Sequence, residues 1–195
     1  NPLNKELTIV ERLSIFYIGL NSQMPPFDDP SVRKAFNMAL DRRALAEIVL
    51  RETVSPANGI LPPGLPGYNP EATALPFDAE QARTLLDESE YGANLPDITL
   101  HTSGGGGAPS QWLQAVVEMW RQNLGVEVAI EQTEWATFLS DINRQPNPYQ
   151  MYSLGWIADY PDPQNFLDIL FHCESQENHS GYCNPEVDEL LEAAR

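Results

Sequence analysis

The chain has 195 residues, enough for one large domain or two small ones with a proper core. Its formal charge of -17, from 28 acidic and 11 basic residues, repels phosphate backbones and anionic lipid surfaces, which argues against a nucleic-acid partner. Hydrophobic residues make up 42%, as in ordinary globular proteins, and no apolar run is long enough to span a membrane as a helix.

The opening stretch NPLNKELTIVERL has no charged region followed by an apolar run, so no signal peptide is expected in it. A processed protein or a cut fragment would begin this way. Residues 13–21 (LSIFYIGLN) read as a strand, followed by the polar turn MPPFDD. Asp29-Pro30 then sets up a helix, because the carboxylate caps and proline suits the first turn. Val32, Ala35, Phe36, Ala39 and Leu40 recur at helical spacing, and Asp41 restarts a second segment through Leu45, Ile48 and Val49. Residues 55–70 (SPANGILPPGLPGYNP) hold too much proline and glycine for regular structure and read as an ordered, irregular surface loop.

Residues 78–90 form a predicted helix opening on a capping box of Asp78 and Gln81. A tighter alternation follows: strand 98–102, helix 110–124 ended by Gly125, strand 126–131, helix 135–144 and strand 149–156. Asp162-Pro163 opens a short helix over QNFLDILF, and Asn184-Pro185 opens a final one. Strand–helix–strand–helix–strand at these lengths predicts right-handed crossovers and a mainly parallel sheet, so the whole chain is expected to be a single α/β domain.

Asp159 falls just past the third strand of that unit, where open α/β sheets collect ligands because loops and helix N-termini converge there. A carboxylate there can accept charge-assisted hydrogen bonds from a ligand ammonium. Trp156, Tyr152 and Tyr160 would supply apolar contact or cation–π attraction, with Gly155 opening the same segment. The competing reading is that Asp159 caps a turn and the rings fill core. Asp162 is explained by its cap, and Asp159 with Asp162 on one turn is a poor general acid–base pair.

SGGGGAPS (103–110) lies between a strand and a helix but lacks the Lys-Ser/Thr of a triphosphate loop and fails the dinucleotide fingerprint. A helix N-terminus there could face an anion, or the run could be a plain glycine linker. Cys173 and Cys183, with nine residues between them, suit a disulfide better than free thiols. With His172 and His179 nearby, the pattern HC-x5-H-x3-C would put two zinc ligands, His172 and Cys173, side by side, so no metal site is assigned. A disulfide implies an oxidising compartment. His101 reads as an ordinary, partly buried histidine, and Asn178-His179-Ser180 matches the glycosylation sequon. No nucleophile elbow, zinc-protease motif or calcium loop occurs, so no catalytic residue and no cofactor are assigned. The balance favours binding.

Three stretches in combination resemble the extracellular solute-binding proteins of bacterial ABC importers, in the family that takes up dipeptides, oligopeptides and nickel. The first is IFYIGLNSQMPPFDDPSVRKAFNMALDRRAL, with N-x4-P-F-D-D-x-x-V-R-x-A-x-x-x-A-x-D-R. The second is PANGILPPGLPGYNP. The third is GWIADYPDPQNFLDILF with N-x3-Y-x-N-P-E-V-D-E-L-L, Asn178 through Leu191. The resemblance implies a type II periplasmic-binding-protein-like lobe, a mostly parallel sheet flanked by helices. Residues 1–195 would be most of the second, C-terminal lobe of a two-lobed receptor, without the first lobe or the segment that returns to it. It implies capture of peptides or related small solutes, without turnover, by a monomer in the periplasm or outside the cell, with a lipid anchor to the membrane as an option for the full-length protein. Implied partners are a peptide or other small ligand, the N-terminal lobe and ABC permease subunits. A nickel, sugar or opine cargo is the alternative within the class, and an exported hydrolase the alternative outside it. By resemblance, Asp159 of W-x-A-D-Y pairs with the free amine of a peptide and Trp156 lies close to the ligand. Val32-Arg33 and Asp41-Arg42 would be structural, their charges ordering the helix pair. The cysteine pair is not a family hallmark and would be an added staple on a surface loop.

Overall fold

The structure, a computed structural model, describes residues 12–92 and 94–195, so residues 1–11 of the opening stretch, considered for a signal peptide, lie outside the described residues. Its strands are β1 (Ser14–Leu20), β2 (Ile98–Ser103), β3 (Val128–Thr133) and β4 (Met151–Ile157), forming one sheet in the order β1-β4-β2-β3. β2 pairs in parallel with β3 and with β4, while β1 lies antiparallel on β4, Ser14 opposite Ile157 and Leu20 opposite Met151. The sheet is therefore mostly parallel, as the alternation of elements predicts. The direction of β1 was not legible, because a hydrophobic run carries no polarity.

Alternation of side chains divides the core in two. Leu100 and Met151 face a layer formed by α1 (Pro30–Met38), α3 (Ala79–Asp87) and α4 (Gln111–Leu124), where they meet Val32, Phe36, Leu86, Val116 and Trp120. The other face packs on α5 (Trp135–Ile142) through Phe138, Ile142, Tyr149 and Tyr152, and on α6 (Gln164–Phe171) through Ile15, Phe166 and Leu170. α4 stops where Gly125 takes a left-handed turn at φ 72°, which a side chain would disfavour.

The caps follow the sequence signals with two differences. Asp29 accepts from the Ser31 N–H at 2.7 Å, and its second oxygen accepts from the Glu90 N–H, tying the start of α1 to the end of α3. Asp78 caps α3, but its own N–H goes to the Met38 carbonyl, so the reciprocal half of the predicted capping box is replaced by a tertiary bond. Asp41 caps the short α2 (Arg42–Ala44), which runs on into a π turn at Leu45–Val49. The expected charge pairing at Arg33 and Arg42 is not what these residues do. Arg33 donates to the Phe27 and Asp28 carbonyls, and Arg42 to Asn37 and the Leu75 carbonyl, so both arginines satisfy loop backbone instead.

The irregular 55–70 stretch is exposed over most of its length, yet it buries Leu65 against Ile15, Phe166 and Leu170. Cys173 and Cys183 form a disulfide ahead of α7 (Pro185–Ala193), with a Cα–Cα distance of 4.7 Å. Replacing both cysteines by serine is expected to lower stability by roughly 3 kcal/mol in the loop-entropy account. Urea denaturation of the two proteins checks this, and an unchanged midpoint would show that Asn178 and Asp188 hold the loop without the staple. The Asn178 amide donates to the Phe171, His172 and Tyr182 carbonyls, and the Asp188 carboxylate accepts from the Cys173 N–H. With Asn178 buried and its nitrogen so engaged, the sequon is closed to glycosylation in the folded chain.

Candidate functional site

β4 carries the chain to its carboxyl end at Ile157, and the Ala158 N–H extends the pairing by reaching the Leu13 carbonyl at 2.8 Å. Asp159 to Asp162 then form an exposed loop. The Asp162 N–H bonds the Tyr160 carbonyl, and the Asp162 carboxylate accepts from the Gln164 N–H at 2.9 Å, completing the start of α6 as its predicted cap. Asp159 is exposed, and its carboxylate has no hydrogen-bond or ion-pair partner among the described residues. The neighbouring backbone is tightly held. The Asp159 N–H donates to Asn165 Oδ1 at 3.1 Å, and the same oxygen accepts the Trp156 indole N–H at 3.3 Å.

The candidate residues thus divide. Trp156 is half-buried behind the loop, packed with Ile15, Phe166 and Leu170. Tyr160 is 44% exposed and donates its hydroxyl to Gln164. Gly155 seats the ring of Phe16, which stands opposite it in the ladder, and a Cβ there would lie 3.0 Å from that ring. Tyr152 corrects the expectation of a ring lining the ligand surface. It is 2% exposed in the core, beside Phe138 and His179, with its ring over Gly19, where a Cβ would come within 2.1 Å. Alternation sets Gly155 on the face opposite to Trp156, while Tyr152 shares the face of Trp156 and is buried because α5 covers its end of the strand. Burial also pushes the Tyr152 hydroxyl well above the usual phenol range, and the neighbouring Tyr17 adds to it.

Asn165 is the functional candidate that sequence reasoning missed. Its signal was an amide beside Phe166 on the apolar side of QNFLDILF, where packing alone would select a hydrocarbon. Gln164 continues the polar chain by donating to Asp168 at 2.9 Å, and Asp168 takes two hydrogen bonds from Arg195 at 2.7 and 2.8 Å. Those bonds hold the buried Asp168 carboxyl below the usual carboxylate range against its own desolvation. A shallow hollow of about 280 Å³ opens between Gln164, Asp168, His172 and Arg195. The larger hollow, about 840 Å³, is lined by Arg42, Glu47, Glu52 and Phe77 and shares no residue with the Asp159 loop. The glycine run lies exposed beyond β2, and neither hollow includes it. His101 stacks on Tyr149 at 4.0 Å, partly buried as expected. Among the described residues, no cluster of His, Cys, Asp and Glu could hold a metal ion, and no helix is long and apolar enough to cross a membrane.

Residues 2–178 match the sequence profile of bacterial extracellular solute-binding proteins, family 5 Middle. The probable di/tripeptide-binding protein 5 of Pseudomonas aeruginosa is 35% identical over 182 residues, covering 90% of this chain and 33% of its own. The solved structure of the Escherichia coli murein tripeptide binding protein MppA superposes with a TM-score of 0.80 at 32% identity, over 93% of this chain and 36% of that one. The periplasmic binding protein DppA from Helicobacter pylori, solved in complex with the peptide STSA, superposes with a TM-score of 0.84 at 25% identity, over 98% of this chain and 38% of that one. The chain spans about a third of the length of the relatives it matches.

Proposed function

We propose, from the premise that the chain belongs to the family 5 bacterial extracellular solute-binding proteins, that it forms one wall of a peptide-capturing cleft in a longer receptor serving an ABC importer. Residues 1–195 are the second lobe of that receptor, and a first lobe and a returning segment supply the rest of the cleft. The observation that carries the reading is the exposed Asp159 carboxylate beyond β4, unpaired among the described residues, on backbone that Asn165 holds fast. A free carboxylate on fixed backbone is ready to take the ammonium of a peptide, with Trp156 and Tyr160 flanking it. Relatives whose names specify di- and tripeptides, and the STSA complex, support peptide cargo over nickel, sugar or opine.

Ligand enclosed between two lobes binds the closed state better than the open one, and that difference drives closure. The closed monomer, outside the cytoplasmic membrane, docks on the permease and releases its cargo unaltered. A single lobe keeps its fold but holds a ligand weakly, because half of the enclosing surface is missing.

In the full-length protein, Asp159→Asn is expected to weaken a free-amine tripeptide by roughly 10–100-fold, the range for one charge-assisted hydrogen bond, and to leave its Nα-acetylated form unaffected. Titration calorimetry measures both, and chromatography of the same samples should show the peptide intact. Cleavage by the unsubstituted protein, or equal affinity of both peptides for it, would sink the reading.

A further inference from the structure

Asn165 places an amide where the fold has use for a hydrocarbon. It lies in the first turn of α6 at 0% exposure, beside Phe166, whose ring joins Ile15, Leu65 and Leu170. The helix start is already served by Asp162, which takes the Gln164 N–H with its side chain and the Asn165 N–H with its carbonyl. Asn165 Oδ1 is spent instead on two groups outside the helix, the Trp156 indole and the Asp159 backbone. Its Nδ2 is buried with no partner among the described residues. A buried donor without a partner lowers stability, so the nitrogen gives the fold no reason to keep an amide here. What the position retains is an acceptor, aimed at the two residues of the candidate site.

We infer that Asn165 is a positioning residue, whose side-chain oxygen ties the Trp156 indole to the Asp159 backbone so that carboxylate and ring meet one ligand ammonium together. This rests on the reading of Asp159 as the amine anchor. Asp159, Tyr160, Pro161 and Asp162 are all exposed, so packing does little to hold the loop. Without the tie, the loop must be ordered when the ligand binds, and that ordering weakens affinity. The consequence is confined to ligands that use the amine. A ligand gripped elsewhere in the cleft feels little.

The test compares the full-length protein with its Asn165→Leu and Asn165→Asp variants, using trialanine and Nα-acetyl-trialanine as probes in titration calorimetry and recording melting temperatures. Leucine removes the acceptor together with the unpaired donor, while aspartate keeps an acceptor oxygen. The expected result is that the preference for the free amine shrinks by about tenfold in Asn165→Leu, the effect of one lost hydrogen bond. Its melting temperature should fall modestly, since the Trp156 and Asp159 N–H groups lose their acceptor, and Asn165→Asp should keep the preference. The indole N–H resonance of Trp156, identified through Trp156→Phe, should move in the leucine variant without any ligand. An undiminished preference in Asn165→Leu, an unmoved resonance, or an equal loss of affinity for both probes would each overturn the inference, the last by showing that the amide serves the fold. If the unsubstituted protein binds the two probes equally, or neither, the anchor reading of Asp159 fails first and the inference falls with it. Those outcomes are separable from a parent that discriminates beside a variant that still does.

Discussion

Replacing Trp120 by alanine is expected to destabilise the chain by about 3–5 kcal/mol, the range for emptying an aromatic site in a packed core. Trp120 is 1% exposed, and its ring meets Phe36 at a centroid distance of 5.2 Å, which in turn meets Phe27 edge-on at 5.1 Å. The indole also donates to the Phe36 carbonyl at 2.8 Å, so truncation leaves a buried acceptor unpaired as well as a void. Against a total stability of about 5–15 kcal/mol for a typical domain, that loss is a large share of the whole. Trp120→Phe keeps most of the volume and loses chiefly the hydrogen bond, so about 1–3 kcal/mol is expected. Urea denaturation followed by circular dichroism ranks the three proteins. If phenylalanine were as damaging as alanine, the hydrogen bond and not the packing would be what matters at this site.

Between neutral pH and about pH 4 the fold is expected to lose about 3 kcal/mol through His179, at 1.36 kcal/mol for each unit of its displacement from 6.5 to about 4. The ring is 3% exposed, and burial holds its pKa at about 4 even though the Glu177 carboxylate lies 3.7 Å away. Nε2 meets Asn143 Oδ1 at 2.8 Å, and the His179 carbonyl accepts the buried Asn147 amide. In this window the unfolded chain binds a proton that the folded one refuses, so stability is full above the ordinary value and falls as pH drops through the interval. His101, also lowered by desolvation, adds to the loss with the same sign. The lowered carboxyls of Asp29 and Asp168 act in a different range, losing their contribution only as acid takes the pH below the ordinary carboxylate value. Denaturant midpoints measured at half-unit steps from pH 7 to 4 give the slope. His179→Gln should flatten it to what His101 leaves, and an unchanged slope would assign the loss elsewhere.

Local rules account for what was legible along the chain. Asp29, Asp41, Asp78 and Asn184 each accept an N–H at the helix start that their position announced, because a cap bonds groups only two or three residues away. Leu113, Val116 and Trp120 recur at helical spacing and are buried together. The parallel pairing of β2 with β3 and β4 follows from helices of crossover length between them. The cysteine pair and the exposed Asp159 were also readable, the first from spacing and the second from its place just after a strand.

Other residues take their roles from partners far away in the chain. Asn21 donates to the carbonyls of Asn147 and Tyr149 and so fastens the end of β1 to the entry of β4, across more than a hundred residues. Nothing local marks it for that role. Tyr152 and Trp156 carry equal aromatic promise on one face of one short segment, yet α5 buries the first while the α6 end leaves the second half-open. Arg42 looked like the partner of Asp41 and instead reaches the backbone at Leu75. Asn165 gained its meaning only when α6 folded back beside β4. The division has one physical cause. Caps, turns and side-chain periodicity arise from backbone geometry over a few residues, whereas burial, strand direction and the pairing of buried polar groups depend on which distant surfaces meet.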